Sequence, residues 1–171
     1  MPRRKEQAAG YMVKARSIPE LVTIVSDRRS WGMRIGLIAG VFDLMHVGHL
    51  YLADHAVDRV DLLVVALYSD RLSSNLRGDM RPLQTASDRA VIIEGMWWSD
   101  YVVEIDRLPA GLIRELCPHL YLCGDDHLSE QPDAGAASAA GCAIEVIPCL
   151  PNHSTIRLIE RIEKGIASDA G

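Results

Sequence analysis

Basic residues are in the minority here: the chain carries a formal net charge of −5. A nucleic-acid partner is therefore not expected, because neutralising a phosphate backbone needs a basic face. A single nucleotide remains open, since one loop and one helix end can seat a triphosphate. Long apolar runs are also missing. The longest, Leu62 to Leu67 and Ala143 to Pro148, are far too short to span a bilayer, so no membrane partner is expected. No apolar stretch follows Met1-Pro2-Arg3-Arg4-Lys5, which makes the cytoplasm the default compartment. Cysteine is sparse, and Cys117, Cys123, Cys142 and Cys149 form no CxxC pair and no zinc-like spacing with histidine. They read as small core residues kept reduced. No internal repeat or low-complexity segment occurs.

What is present is an ordinary globular balance, 49% hydrophobic and 24% charged over 171 residues, enough for one domain. Residues 1–16 are polar and basic and read as a flexible arm; residues 166–171 read as a tail, leaving 17–165 as the domain. Ser17-Ile18-Pro19-Glu20 has the form of a capping box, opening a helix that carries Leu21, Val22, Ile24 and Val25. Arg34 to Ala39 is a short buried strand closed by Gly40. A helix follows from His46 to about Ala56, with Leu50, Ala53 and Val57 facing a core, and then a strand at Leu62 to Tyr68.

Ser69 to Gln84 contains Gly78, Pro82 and several charges and is expected to be a long polar loop; its Arg77-to-Arg81 part, with nothing apolar enough to anchor it, is expected to be mobile without ligand and ordered with it. Thr85 to Asp88 caps a helix through Val91, Ile92, Met96 and Trp97. Beyond it, strands are expected at Tyr101–Ile105, Leu120–Cys123 and Ala143–Ile147. Helices are expected at Ala110–Leu116, at Ala134–Ala140, and after Ser154 through Ile156, Ile159 and Ile162. Strand and helix alternate almost without exception, which predicts a doubly wound parallel α/β sheet with right-handed crossovers. Ligands bind such sheets outside the carboxyl ends of the strands. The loops starting at Gly40, Ser69 and Gly124 belong on that edge. Of the adjacent Trp97 and Trp98, one is expected in the core and the other outside, because neighbouring helix positions cannot face the same way.

The chemically informative stretch is Gly40-Val41-Phe42-Asp43-Leu44-Met45-His46-Val47-Gly48-His49, directly after the first strand. Gly40 permits a tight turn, Gly48 permits close approach of backbone to a phosphate, and the new helix offers N–H groups there. His46 and His49 are three apart, so both rings can lie on one side of the turn. Two imidazole donors aimed at one point suit the phosphoryl oxygens of an in-line displacement.

This string resembles the GxFDxxHxGH signature of the cytidylyltransferase-like nucleotidyltransferases. The resemblance runs from about Val13 to Ile162. Asn75 to Leu83 is similar to the KGDSRPV stretch of the nucleotidyltransferase half of ADP-heptose synthases. Cys123-Gly124-Asp125-Asp126-His127 is similar to the GDDW of glycerol-3-phosphate cytidylyltransferases, and Ser154-Thr155-Ile156-Arg157 to the family's STTK. The resemblance implies a Rossmann-like fold and transfer of a nucleoside monophosphate from a triphosphate, ATP or alternatively CTP, to a phosphorylated small molecule. Mg²⁺ and a homodimer come with it, Trp97 or Trp98 being a candidate for the contact.

By the same resemblance His46 and His49 are catalytic, and Gly40, Val41, Phe42, Asp43, Gly48 and Gly124 surround the nucleotide. Asp70, Arg89 and Asp100 belong to the nucleotide and scaffold network, Asp125 meets the base and ribose, and Ser154 and Thr155 hold the distal phosphates. Ser154 can equally be a plain helix cap. Arg77, Arg81, Asp126 and Arg157 are candidate clamps for the triphosphate or the acceptor. Arg77 and Arg81 can also be solvated loop charges, and Asp70 and Asp100 ordinary turn residues. Ile38-Ala39, Cys123 and Trp97 depart from the family patterns at positions that recognise base and acceptor. A heptose or similar sugar 1-phosphate is the preferred acceptor. A polyol phosphate, a phosphonate, or a binding-only regulator without turnover stand as alternatives.

Overall fold

The computed structural model describes residues 17–125 and 134–169. The expected arm, together with Asp126 and His127, lies outside the described residues. Twelve elements follow in chain order: α1 (Ile18–Ser30), β1 (Ile35–Gly40), α2 (Val47–Val57), β2 (Leu62–Tyr68), α3 (Asp70–Arg77), α4 (Ala86–Glu94), β3 (Tyr101–Ile105), α5 (Ala110–Leu116), β4 (Leu120–Gly124), α6 (Ala134–Ala139), β5 (Ala143–Ile147) and α7 (Thr155–Asp169). The strands form one sheet in the order β3-β2-β1-β4-β5, and every pairing is parallel. The chain winds outward from β1 to β3, then crosses back to β4 and β5. The crevice between β1 and β4 is thus the switch point where such sheets bind ligands.

The central strands are apolar throughout because both their faces are covered. Alternate residues go to opposite sides. Leu37, Val64, Ala66 and Tyr68 join Leu21 and Val25 of α1 and Leu112, Ile113 and Leu116 of α5. Ile38, Leu63, Val65 and Leu67 join Ala53 and Ala56 of α2, Ile93 of α4 and Trp98. Burying each such Val, Leu or Ile side chain contributes roughly 1.5–3 kcal/mol. At the start of α1 the Ser17 N–H donates to Glu20 Oε2 at 3.0 Å, as the capping box requires.

Four expectations need correction. The stretch from Ser69 to Gln84 is not loop throughout: α3 occupies its first half, capped by Ser69 Oγ, which accepts from the Leu72 N–H at 3.1 Å. Leu72 and Leu76, four apart, pack on the α1-side core, and two apolar residues among polar ones were too few to show a period. The helix after Thr85 ends at Glu94 and buries Arg89 and Ile93, while Val91 is exposed. Leu50 of α2, expected toward a core, faces outward. Asp100 sits at the amino edge of the sheet, accepting from the Leu63 N–H at 2.7 Å, at the opposite end from the switch point. The tryptophan pair divides as expected, Trp98 buried and Trp97 exposed.

Candidate active site

The turn out of β1 is made by Phe42, not by Gly40. Phe42 has φ 50, in the left-handed region that side chains rarely adopt. Gly40 serves it indirectly: a Cβ there would stand 3.3 Å from the Phe42 ring. The ring, nearly fully buried, then supports His49 at a centroid distance of 5.2 Å.

His46 caps α2. Its Nδ1 accepts from the Gly48 N–H at 3.1 Å, and the His46 N–H donates to His49 Nδ1 at 3.3 Å. The rings stack with centroids 3.9 Å apart and planes 30° from parallel. A neutral imidazole that accepts at Nδ1 carries its proton on Nε2. Both rings are therefore set in the same tautomer by backbone, and both line the cavity described below. The N–H groups expected to meet a phosphate here are partly spent within the turn, since the His49 N–H donates to His46 O at 3.0 Å. Gly48 is likewise required by protein atoms: a Cβ would lie 2.8 Å from His153 O and 2.9 Å from the His46 ring.

Asp43 is almost wholly buried, and its carboxylate is fully engaged. It accepts from the Leu83 N–H at 2.9 Å and the Gln84 N–H at 2.9 Å, and pairs with Arg81 Nη2 at 3.0 Å. The Gln84 side chain returns a bond to Asp43 O. The segment before α4 thus has a polar anchor. A buried carboxylate is tolerable because donors and a cation replace its water.

Arg89, fully buried, donates to Val41 O, to Tyr68 O at 2.9 Å, to Gln84 O at 3.0 Å and to Asp70 Oδ1 at 2.7 Å. One guanidinium fork therefore ties together the β1 turn, the end of β2, the start of α3 and the segment before α4. Neither Arg89 nor Asp70 reaches the cavity wall; Arg89 shapes the site from behind.

The cavity over β1 and β4 measures about 340 Å³. The β1 turn forms one wall, with Gly40, Val41, Phe42, Asp43, His46, Gly48 and His49. Arg77 and Arg81 form a second. A third comes from Gly124 and from the chain between β5 and α7, including Pro148, Leu150, His153, Ser154 and Thr155. Ser154 Oγ accepts from the Arg157 N–H at 3.3 Å, so it caps α7 while standing at the cavity. Arg157 itself turns to Glu160 at 2.9 Å. Asp125 is exposed, its Oδ1 accepting from the Cys149 N–H at 2.9 Å. Sequence reasoning overlooked Tyr51, Leu52 and the Ile147–Leu150 stretch. The available signal was positional, because the loop after β5 opens on the same edge as the others.

Among the described residues no group of three or more His, Cys, Asp or Glu side chains could hold a metal ion. No helix there is long and apolar enough to cross a membrane. All four cysteines are free, and burial pushes the Cys142 thiol up to about 11.

A parallel sheet with a capped histidine turn at its switch point, closed over by a second helix N-terminus, is the architecture of a nucleotidyltransferase. The chain belongs to the cytidylyltransferase-like family, whose model matches residues 37–158. It is 33% identical over 155 residues to the bifunctional protein HldE of Granulibacter bethesdensis, covering 90% of this chain and 32% of that protein. To the HldE of Alkalilimnicola ehrlichii it is 34% identical over 150 residues, covering 85% and 31%. The chain thus spans about a third of the length of these curated relatives. A lipopolysaccharide core biosynthesis protein from Thermoplasma volcanium shares the fold, with TM-score 0.56, 22% identity, and coverage of 70% of this chain and 98% of that one.

Proposed function

We propose that this nucleotidyltransferase moves AMP from ATP to a sugar 1-phosphate, a heptose 1-phosphate or close relative, with release of pyrophosphate. The single observation that carries the reaction type is the tautomeric setting of His46 and His49. Both Nδ1 atoms are occupied by backbone N–H groups, so both rings are Nε2–H donors at the cavity. An oxygen of the acceptor phosphate attacks the α-phosphorus, and the bond to the bridging oxygen of pyrophosphate breaks. Negative charge on the phosphoryl oxygens is greatest between these states, and preorganised donors act there. No covalent enzyme intermediate is part of this reading.

Ser154 and Thr155, at the start of a helix, are assigned to the distal phosphates. Mg²⁺ is assigned to this reading as a companion of the triphosphate. Bound with the nucleotide, Mg²⁺ would offset the phosphate charge. The choice of acceptor rests on similarity to the nucleotidyltransferase half of ADP-heptose synthase, carried by the Asn75 to Leu83 stretch and the HldE relatives. A cytoplasmic homodimer belongs to the same reading, with the exposed Trp97 available for the contact.

The test is pyrophosphate release with each of four nucleoside triphosphates against a panel of sugar and polyol phosphates. Turnover is expected with ATP and a heptose 1-phosphate. Turnover with CTP and glycerol 3-phosphate would replace this substrate pair with the one that Gly124-Asp125 suggests by resemblance. Tight nucleotide binding without pyrophosphate from any pair would make the chain a binding-only regulator.

A further inference from the structure

We propose that Arg81 is the seat of the acceptor's phosphate, and that the signature carboxylate Asp43 acts through it as a positioning residue. This rests on the reading above in taking the acceptor to be a phosphate monoester and in seating the distal phosphates at Ser154 and Thr155. Arg81 lines the cavity yet is only 16% exposed, and its Nη2 is held 3.0 Å from Asp43 Oδ2. Its Nε is buried and has no hydrogen-bond partner among the described residues. A buried donor left unmade is costly, and native structures rarely tolerate one without a purpose. The guanidinium is the charged end of a side chain that lines the cavity, and such a group pairs with phosphate oxygens.

Asp43 makes this arrangement rigid. Its carboxylate also takes the N–H groups of Leu83 and Gln84, and the Arg81 N–H closes on Gly78 O at 3.0 Å. The arginine is therefore fixed at both backbone and side chain before any ligand arrives, which lowers the entropy lost on binding.

The choice between acceptor and triphosphate follows from the line of displacement. Entering oxygen and departing pyrophosphate lie on opposite sides of the α-phosphorus. His153 O packs against Gly48, so the seat at Ser154 and Thr155 adjoins the Gly48 side of the histidine turn. Asp43 precedes that turn in the chain, on the approach from β1, and holds Arg81 Nη2 at 3.0 Å. With the distal phosphates at the α7 terminus, the entering phosphate falls to Arg81.

Arg81→Gln, Arg81→Lys and Asp43→Asn in the full chain test this. The readouts are acceptor KM, kcat, and calorimetric affinity for α,β-methylene-ATP, which cannot transfer its nucleotidyl group. Arg81→Gln is expected to raise acceptor KM by about 10- to 100-fold while analogue affinity stays within about twofold. Arg81→Lys should recover part of the loss. Asp43→Asn should raise KM in the same direction, and the double variant should lose less than the product of the singles. A loss of analogue affinity in Arg81→Gln with unchanged acceptor KM would overturn the proposal and give Arg81 to the triphosphate. If Asp43→Asn does not fold, the two Arg81 variants decide alone. Should the wild type release no pyrophosphate with any acceptor, the functional reading fails separately. Binding of inorganic phosphate to the analogue complex then decides: weaker binding in Arg81→Gln supports the seat, and equal binding removes it.

Discussion

The two long walls of the cavity are built in different ways. In the β1 turn nearly every polar group is fastened: both histidine Nδ1 atoms to backbone, Asp43 to the Leu83 and Gln84 N–H groups and Arg81, and Arg89 to four partners behind. The wall between β5 and α7 is looser. It is held by Asp125 to the Cys149 N–H, by the His153 N–H to Leu150 O at 3.2 Å, and by His153 Nδ1 against Pro151 O at 2.7 Å. Pro151, Asn152 and His153 are all exposed. Charge stabilisation in a transition state requires donors fixed in advance, whereas recognition of a base tolerates, and diversifies through, a surface strand of loop. The difference teaches that the histidine pair stands on the wall whose polar groups are fixed in advance, while the opposite wall leaves its backbone in reach of solvent.

The sharpest way to break this contrast is to unfasten the first wall from behind. Arg89→Ala strips partners from buried carbonyls in three segments at once, and should cost about 3 kcal/mol or more in urea unfolding. A loss under about 1 kcal/mol would mean that the β1 turn holds itself without the clamp.

Next come the histidines. His46→Ala and His49→Ala should each lower kcat by about 10²–10³-fold and leave triphosphate affinity nearly unchanged, because only interactions stronger in the transition state speed the step. The double variant should lose less than the product, since the stacked rings serve one developing charge. His55→Ala, removed from the cavity and resting on Tyr51, is the control. Full activity in either single variant would end the mechanism.

The exposed wall should respond more gently. Asp125→Ala releases the Cys149 N–H, and is expected to raise the nucleotide KM by roughly 3- to 10-fold, one side-chain hydrogen bond's worth, with a change in base preference and little change in kcat. Equal kinetics with every triphosphate would show that Asp125 merely braces the loop. Smallest of all is an effect at the far edge of the sheet, where His119 Nδ1 accepts from the Ile35 N–H at 2.9 Å. Burial first, then Arg29 and Arg34, hold its pKa below the ordinary 6.5. The folded chain thus resists a proton that the unfolded chain accepts, so stability falls slightly as pH drops below about 6.5. Melting curves at pH 7.5 and 5.5 should show this small decline, and His119→Asn should flatten it without touching activity.

The fold was legible in the amino-acid sequence where burial leaves a pattern. Leu62 to Tyr68 is apolar at every position because a central parallel strand has no wet face, and the alternation of such runs with helices specified the winding. The histidine turn was legible for a related reason: spacing along a strand, turn and helix start is local, and local geometry follows from chain order. Where the pattern was thin, the reading failed. Leu72 and Leu76 alone could not mark α3, and Leu50 looked like a core residue although its helix turns it outward.

By itself, the sequence determined a doubly wound α/β chain of the cytidylyltransferase-like family with His46 and His49 at a switch-point loop. Only the tertiary structure decided that Asp43 meets Leu83, Gln84 and Arg81, that Arg89 supports the site from behind, and that both histidine Nδ1 atoms face backbone N–H groups. Those facts depend on contacts between segments some forty residues apart, or on which backbone N–H a ring nitrogen happens to face. Neither is set by composition or period; both are set by how the packed elements bring distant donors and acceptors within three ångströms of each other.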